Sequence, residues 1–585
     1  TAYEMLRSLV GSEMCIRDRY EITLEPGESH RIDGVIPYAA LLRREHGIRL
    51  LQIKFDEKLA DATRSWKEVL RAGGGISTGE RLIDDFSLAA PYRILVTADR
   101  DPSSGLYTVP AATQAYGACG NEACLQIRHL DYRGYHRIAE AYLETFLVHQ
   151  GTQKPDGRFA GAEGAFQARN IYDGRPVGNG FGYNLDHGFI LWCLAEHYLL
   201  TRNRTWLERA APNLIAACDF VARERKATMT EPNPAFGLLP AGHLEDNDEW
   251  QHWFAVNAHA YRGMAMTAEC LRDIGHAAAD RIDREAAAYR KDILEAVRVA
   301  RVNSPVVRLR DGSAVPHVPS RTHERGPAWG WFREALYGPL HLCDGGVLEP
   351  NSPEVTWILE YLEDCVFPSR DRGRVFDTRD EWFSRGGITL QCNLLNNALA
   401  YLRRDQIEHA VRAMFNAFAA SIYPDVRCFS EHAIGSLGWG SGPYFKTPDE
   451  CGFLNWLRAF MICEEGEVLW LARGAAREWF APGRLIAVER MASYFGPLSY
   501  RIECDEDRIA VELEPPTRNA PEEIRLRLRP PHTKPIDSVT VAGRPHDAFD
   551  RAGEFILLRA PACLLYTSDA ADDLLCVDLG GRRII

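Results

Sequence analysis

No run of apolar residues in this chain approaches the ~18 that a membrane-spanning helix needs. Positive charge is short as well. The 68 Lys and Arg stand against 81 Asp and Glu, a net charge of −13, which argues against nucleic-acid phosphates and anionic membranes as partners. The 15 cysteines include no C-x-x-C spacing, so zinc-ribbon and thioredoxin-like sites are excluded. Their single spacing points to buried thiols, which favours a reducing, cytoplasmic compartment. There is no phosphate-binding P-loop and no HExxH. Gly178-Asn179-Gly180-Phe181-Gly182 follows no strand and is too lax for a dinucleotide fingerprint. The acids from Glu245 to Asp248 lack calcium-loop spacing. No cofactor and no metal is expected. No fixed repeat of 34 to 45 residues is visible, which weakens a solenoid reading.

What is present is an ordinary globular composition on a large scale. The 585 residues are 46% apolar and 25% charged, enough for one large core with satellites. Two stretches stand apart. Residues 1–19 and 563–585 resemble translated sequencing-adaptor read-through of the kind met in bacterial metagenome assemblies, and they are expected to make few contacts with the rest. Residues 20–56 alternate as strands, with a turn at Gly27, and read as the remnant of an N-terminal β-sandwich. A linker helix occupies 57–76, running from Lys58 to Arg71 and ending at Gly73-Gly74-Gly75.

From 77 to 480 helix follows helix. The runs are Glu80 to Thr97, Tyr135 to His149, Leu185 to Thr201, Thr205 to Lys226, Trp253 to Ile274 and Ala277 to Val302. They continue with Trp331 to Leu342, Pro353 to Cys365, Ile388 to Leu402, Asp405 to Ser421, Asp449 to Ile462 and Glu467 to Arg473. Leu185 to Thr201 is apolar nearly all round. Ile282-Ala286-Tyr289-Ile293-Val297 is a single stripe with charges opposite. Helices buried on all sides and helices wet on one side are what two concentric rings require. From 481 to 562 the pattern returns to strands, as in Glu523 to Arg529 and Ser538 to Val541, and predicts a small antiparallel β-domain.

Several stretches, taken in order, carry a family resemblance. Tyr116-Gly117 is followed by Asn121-Glu122-Ala123 and by Leu130-Asp131-Tyr132-Arg133-Gly134. Gln150-Gly151 precedes Pro155-Asp156-Gly157-Arg158-Phe159, and Asp186-His187 leads to Glu196-His197-Tyr198. Together they resemble the six-hairpin glycosidases: glucoamylases, trehalases, processing α-glucosidases and α-L-rhamnosidases. Asn121-Glu122 stands where relatives carry Arg-Asp. The resemblance implies a mainly α fold, an (α/α)6 six-hairpin barrel flanked by a partial N-terminal β-domain and a small C-terminal antiparallel β-domain. It also implies a glycoside hydrolase acting on an oligosaccharide or glycoside.

Inverting hydrolysis needs one protonated carboxyl and one ionised carboxylate on opposite faces of the sugar, roughly 6.5–9.5 Å apart. The loop from Gly237 to Trp250 supplies the first, where relatives keep their general acid: Asp246, with Glu245 as its alternate. Trp250 and Trp253 are placed to stack on a sugar and raise a neighbouring carboxyl. Glu431, in Cys428-Phe429-Ser430-Glu431-His432, is the expected base, with Asp380 and Glu381 as alternates. Glu122, Asp186, His187, Trp331, Trp382, Arg385 and Trp439 complete the expected substrate cleft. Two other readings stand beside this one. A sugar epimerase or polysaccharide lyase on the same barrel would use His187, His252, His259 or His432 as base. The other is a non-catalytic glycan-binding relative, suggested by the Asn121-Glu122 departure.

Overall fold

The computed structural model describes residues 21–35, 44–112, 119–167, 183–230, 232–244, 249–327, 337–366, 395–432, 441–506, 508–531, 535–559 and 574–579. The chain divides into two compact units, 1–72 and 73–585. In the first, helix α1 (Arg44–Leu51) is followed by α2 (Phe55–Ala72). Among the described residues of 20–56 the expected β-remnant shows no strand. Residues 21–35 hold a turn and no strand, and the second expected strand, Ile48 to Ile53, falls largely within α1. Ile22, Leu24, Ile32 and Val35 are all exposed, so their alternation has no opposing sheet to bury it, and alternation without burial does not hold a strand.

The second unit carries helices α3 (Arg81–Thr97), α4 (Gly120–Tyr132), α5 (His136–His149), α6 (Leu185–Thr201), α7 (Arg204–Glu224) and α8 (Phe254–Asp273). After them come α9 (Ala279–Val302), α10 (His341–Asp344), α11 (Pro353–Tyr361), α12 (Asn397–Arg403), α13 (Ile407–Ser421) and α14 (Thr447–Met461). Contacts run from α4 to α6, to α8, to α10, to α12, to α14 and back to α4. The odd-numbered helices lie against this cycle: α5 on α4 and α6, α7 on α6 and α8, α9 on α8, α13 on α12 and α14, α3 on α14. Burial follows the sequence pattern. In α6 every residue from Leu185 to Leu200 is buried, whereas α9 buries the stripe through Ile282, Ala286, Tyr289, Ile293 and Val297 and wets the rest.

Two elements of this unit differ from expectation. Helix α4 carries motif residues but shows no apolar stripe, because almost all of its residues are buried; a helix enclosed on every side has no periodicity to read. The helix expected from Glu467 to Arg473 is instead a strand, Val468–Leu471, paired with Ile462–Glu465. Gly466, at φ +58°, takes the left-handed position of the two-residue turn between them.

Two sheets follow. A seven-stranded sheet runs in the order Gly75–Ser77, Leu485–Ser493, Gly496–Cys504, Arg508–Glu514, Leu574–Leu579, Ile536–Val541, Arg544–Pro545. A five-stranded sheet joins Val468–Leu471 in parallel to Glu523–Arg527, whose other neighbour is antiparallel. The strand region therefore starts at Ile462, ahead of the expected boundary at 481. Residues 1–19 lie outside the described residues. Leu574–Leu579, expected to be part of a loose tail, pairs on both sides in the larger sheet. Eleven cysteines among the described residues are free thiols, and ten of these are buried.

Candidate active site

The chemistry gathers where α4, α6 and α14 begin. Gly120 opens α4 so close to α6 that a Cβ there would meet Asp186 Cγ at 2.8 Å and Ile190 Cδ1 at 2.9 Å. The next residue, Asn121, donates its backbone N–H to Asp186 Oδ1 (2.8 Å) and its side-chain amide to Tyr337 Oη (2.9 Å). Glu122 therefore emerges at a fixed place in the first turn of α4, 4% exposed.

From the far end of the sequence comes strand Cys428–His432. Phe429 anchors it, stacked on Phe86 at 4.7 Å and enclosed with Phe418 and Phe453. Its neighbour strand is Ser441–Tyr444, and the register breaks between Ser430 and His432, so that Glu431 faces two residues rather than one. A bulge of this kind re-aims a side chain, and bulges are over-represented beside active sites. Glu431 is 9% exposed.

Lys446 joins the two carboxylates. Its backbone N–H donates to Phe429 O at 3.2 Å, tying the start of α14 to the strand. Its ammonium, 1% exposed, lies 2.8 Å from Glu122 Oε1 and 3.1 Å from Glu431 Oε1. Those contacts hold the two oxygens no more than about 6 Å apart. Asp449 and Glu450 follow in the first turn of α14, where the helix dipole favours acids. Glu450 accepts from the Phe429 N–H at 3.1 Å and pairs with Arg93 at 2.9 Å. Asp449 is 1% exposed, and neither carboxylate oxygen has a hydrogen-bond partner among the described residues.

Burial dominates the electrostatics. It raises the Glu122 carboxyl above the ordinary range, Lys446 pulling it down and Glu431 pushing it up further. Asp449 is driven well above, again by burial first, with Lys446 opposing and Glu122, Glu431 and Glu450 adding repulsion. Both are thus biased to keep a proton.

The other expected residues divide into three groups. Asp186 joins the cluster through Asn121. His187, Trp250 and Trp253 are placed but do different work. The His187 Nδ1 accepts from the Phe166 N–H at 3.1 Å, the ring packs on Phe220, and burial pushes its pKa down to about 4. Trp253 is 1% exposed with its indole N–H on Gly242 O at 3.1 Å, so it braces the loop rather than offering a face to a sugar. Trp250 is 48% exposed and donates to His243 Nε2 at 2.6 Å. Glu245, Asp246, Trp331, Asp380, Glu381, Trp382, Arg385 and Trp439 lie outside the described residues. The described residues flanking the segment 245–248 lie near this end: Gly242 bridges both Gly157 and Gln251, and Asn184, just ahead of Asp186, donates to Asp156 O at 3.0 Å.

Among solved structures, an α-L-rhamnosidase from Dictyoglumus thermophilum superposes with a TM-score of 0.50 at 9% identity, over 87% of this chain and 50% of that one. The fold is one that glycosidases use. The chain spans about half the length of that rhamnosidase. A Streptococcus pneumoniae protein from a family described as metal-independent α-mannosidases, in a non-productive complex with α-1,6-mannobiose, gives 0.47 at 10% identity, over 68% of this chain and 97% of that one. A glycosidase in complex with glucose gives 0.41 at 13% identity, over 65% and 96%. No protein-family model and no curated protein matches the sequence.

Lys446, Asp449 and Glu450 were not singled out by the sequence pattern. Lys446-Thr447-Pro448-Asp449-Glu450 reads as a plain helix start, with Pro in the first turn and acids on the dipole. The one available signal was charge economy: three charged residues in five, all in a segment otherwise apolar enough to be buried.

Proposed function

We propose that the chain is a glycoside hydrolase, that its cycle of six helices is the inner ring of an (α/α)6 barrel, and that it inverts the anomeric centre with Glu431 as base and Asp246 as acid. The observation that carries this is the pair of carboxylates, Glu122 and Glu431, gathered from opposite ends of the sequence onto one buried lysine. Their oxygens are closer than those of an inverting pair, so in an inverting reaction they are not each other's partner. With Glu122 biased toward its neutral form, Lys446 keeps Glu431 ionised and able to take a proton from water. The acid then belongs on the facing side. What supports the loop of Asp246 as its source is the anchoring of that loop, through Gly242 and Asp156, at the end of α6 that also holds Asp186.

An aryl-glycoside and glycan screen followed by NMR of the first-formed anomer tests the reading. Inversion and a new reducing end are expected. Retention removes the mechanism, an absorbing unsaturated product makes the chain a lyase, and tight binding without turnover makes it a glycan-binding protein. For the acid, Asp246→Asn is expected to lose at least about a hundredfold on glycosides with poor leaving groups. On a glycosyl fluoride, which needs little protonation, it should lose far less. Normal turnover of both substrates would move the role to Glu245.

A further inference from the structure

Helices α4, α6, α8, α10, α12 and α14, with Ile462 to Glu464 and Tyr494, line a cavity of about 110 Å³. It has room for three or four waters and is too small for a disaccharide. Its wall lies deeper along the ring than the carboxylates: Leu125, Arg128 and Tyr132 follow Glu122 on α4, and Gly452, Asn455 and Trp456 follow Asp449 on α14. Four arginines line it, Arg128, Arg262, Arg403 and Arg458, against three acids, Glu196, Asp344 and Glu464.

Two of the arginines are matched. Arg128 pairs with Glu196, which also accepts from Tyr132 (2.9 Å) and Tyr494 (2.7 Å). Arg458 Nη2 donates to Glu464 at 2.6 Å. The other two are not. Arg262 makes no ion pair among the described residues; its Nε is buried without an acceptor, and its guanidinium rests over Trp192 at 5.7 Å. Arg403 comes no nearer than 4.0 Å to Asp344, whose carboxylate already accepts from Asn396 Nδ2 at 3.0 Å. Of the four, Arg262 alone has no carboxylate within ion-pair distance among the described residues, Glu269 acting on it from further off. A guanidinium facing a small polar cavity without a carboxylate is costly to hold there. An oxyanion meets the planar fork of arginine with charge-assisted hydrogen bonds, and two such forks make a clamp.

We propose that this cavity is an anion site that takes a free, small oxyanion of phosphate or sulfate size between Arg262 and Arg403, separate from the glycoside site. The assignment does not depend on the hydrolase reading.

The full chain is titrated with inorganic phosphate, and separately with sulfate, at constant ionic strength held with sodium chloride. The melting temperature and the ³¹P line width are the readouts. A saturable rise in melting temperature is expected, and a hexose phosphate, too large for the cavity, should produce none. In Arg262→Gln and Arg403→Gln the half-saturating concentration should rise at least tenfold. In phosphate-free buffer Arg262→Gln should melt no lower than the wild type, because it breaks no ion pair among the described residues. A selenate soak of crystals should give an anomalous peak between the two guanidiniums. A response that never saturates, a response unchanged in the variants, a peak elsewhere, or an Arg262→Gln variant that melts lower without phosphate would each overturn the assignment.

Discussion

Glu431→Gln is expected to lower kcat about a thousandfold on any glycoside the wild type cleaves, the range for loss of a positioned base, with the melting temperature unchanged. The amide still accepts from Lys446, so the strand and the start of α14 keep their tie, but nothing remains to take a proton from water. The acidic limb of the pH–rate profile should vanish with it. Glu122→Gln fixes the neutral form that burial already favours and should lose only about tenfold. The comparison is sharp because both residues hold the same ammonium. If Glu122→Gln proves as damaging as Glu431→Gln, and its loss is confined to poor leaving groups, then Glu122 and not Asp246 delivers the proton.

Stability should fall between pH 6.5 and 9 for a reason two turns away from this chemistry. His197 is wholly buried against Asp131, at 2.8 Å, with Glu140 at 3.5 Å. Burial alone would push its imidazolium down; Asp131 and Glu140 outweigh that and hold it up to about 9. A histidine whose folded pKa lies above its unfolded value stabilises the fold fully below about 6.5, and that contribution is lost as pH rises through the folded value. Holding the imidazolium up to that value corresponds to about 3 kcal/mol. Asp131 has the opposite sign: burial raises it, but His197 and His136 together lower it, so its contribution is present above the ordinary Asp value and lost in acid. Denaturant melts from pH 6 to 10 should show the decline, and Asp131→Asn should flatten it while costing about 3–5 kcal/mol near pH 6. A decline of equal size in Asp131→Asn would show that other groups cause it.

Much of the helical part was legible because its signal is local. Leu185 to Thr201 was read with the same boundaries that the structure shows, and the stripe of α9 faces inward as its spacing requires. The structure also brings together Glu431 and Glu122, residues the sequence offered as an expected base and an expected cleft residue. The misses are of another kind. Helix α4 gave no period because it is enclosed on all sides. Val468–Leu471 read as helix because the parallel partner that makes it a strand, Glu523–Arg527, is some fifty residues on. Lys446 looked like the first residue of any helix, and only the meeting of two distant segments gives its ammonium two carboxylates. Trp253 was read as a sugar platform because a tryptophan beside acids suggests one; its indole N–H instead closes the loop on Gly242.

The closing of the helix cycle sets an order of events during synthesis. Helix α4 meets α14 directly, and Asn455 Nδ2 donates to Leu125 O at 3.2 Å across 330 residues of sequence. A ring whose first and last members must touch cannot finish until the last emerges, and contacts of such high sequence separation form slowly. At ordinary translation rates the ribosome takes roughly half a minute to cover that distance. Throughout it Glu122 has no ammonium beside it, and the seam between α4 and the missing α14 exposes apolar surface. Nascent chains stopped before Lys446 should therefore be the protease-sensitive, chaperone-bound species of this protein, and resistance should appear only once Met461 has left the exit tunnel.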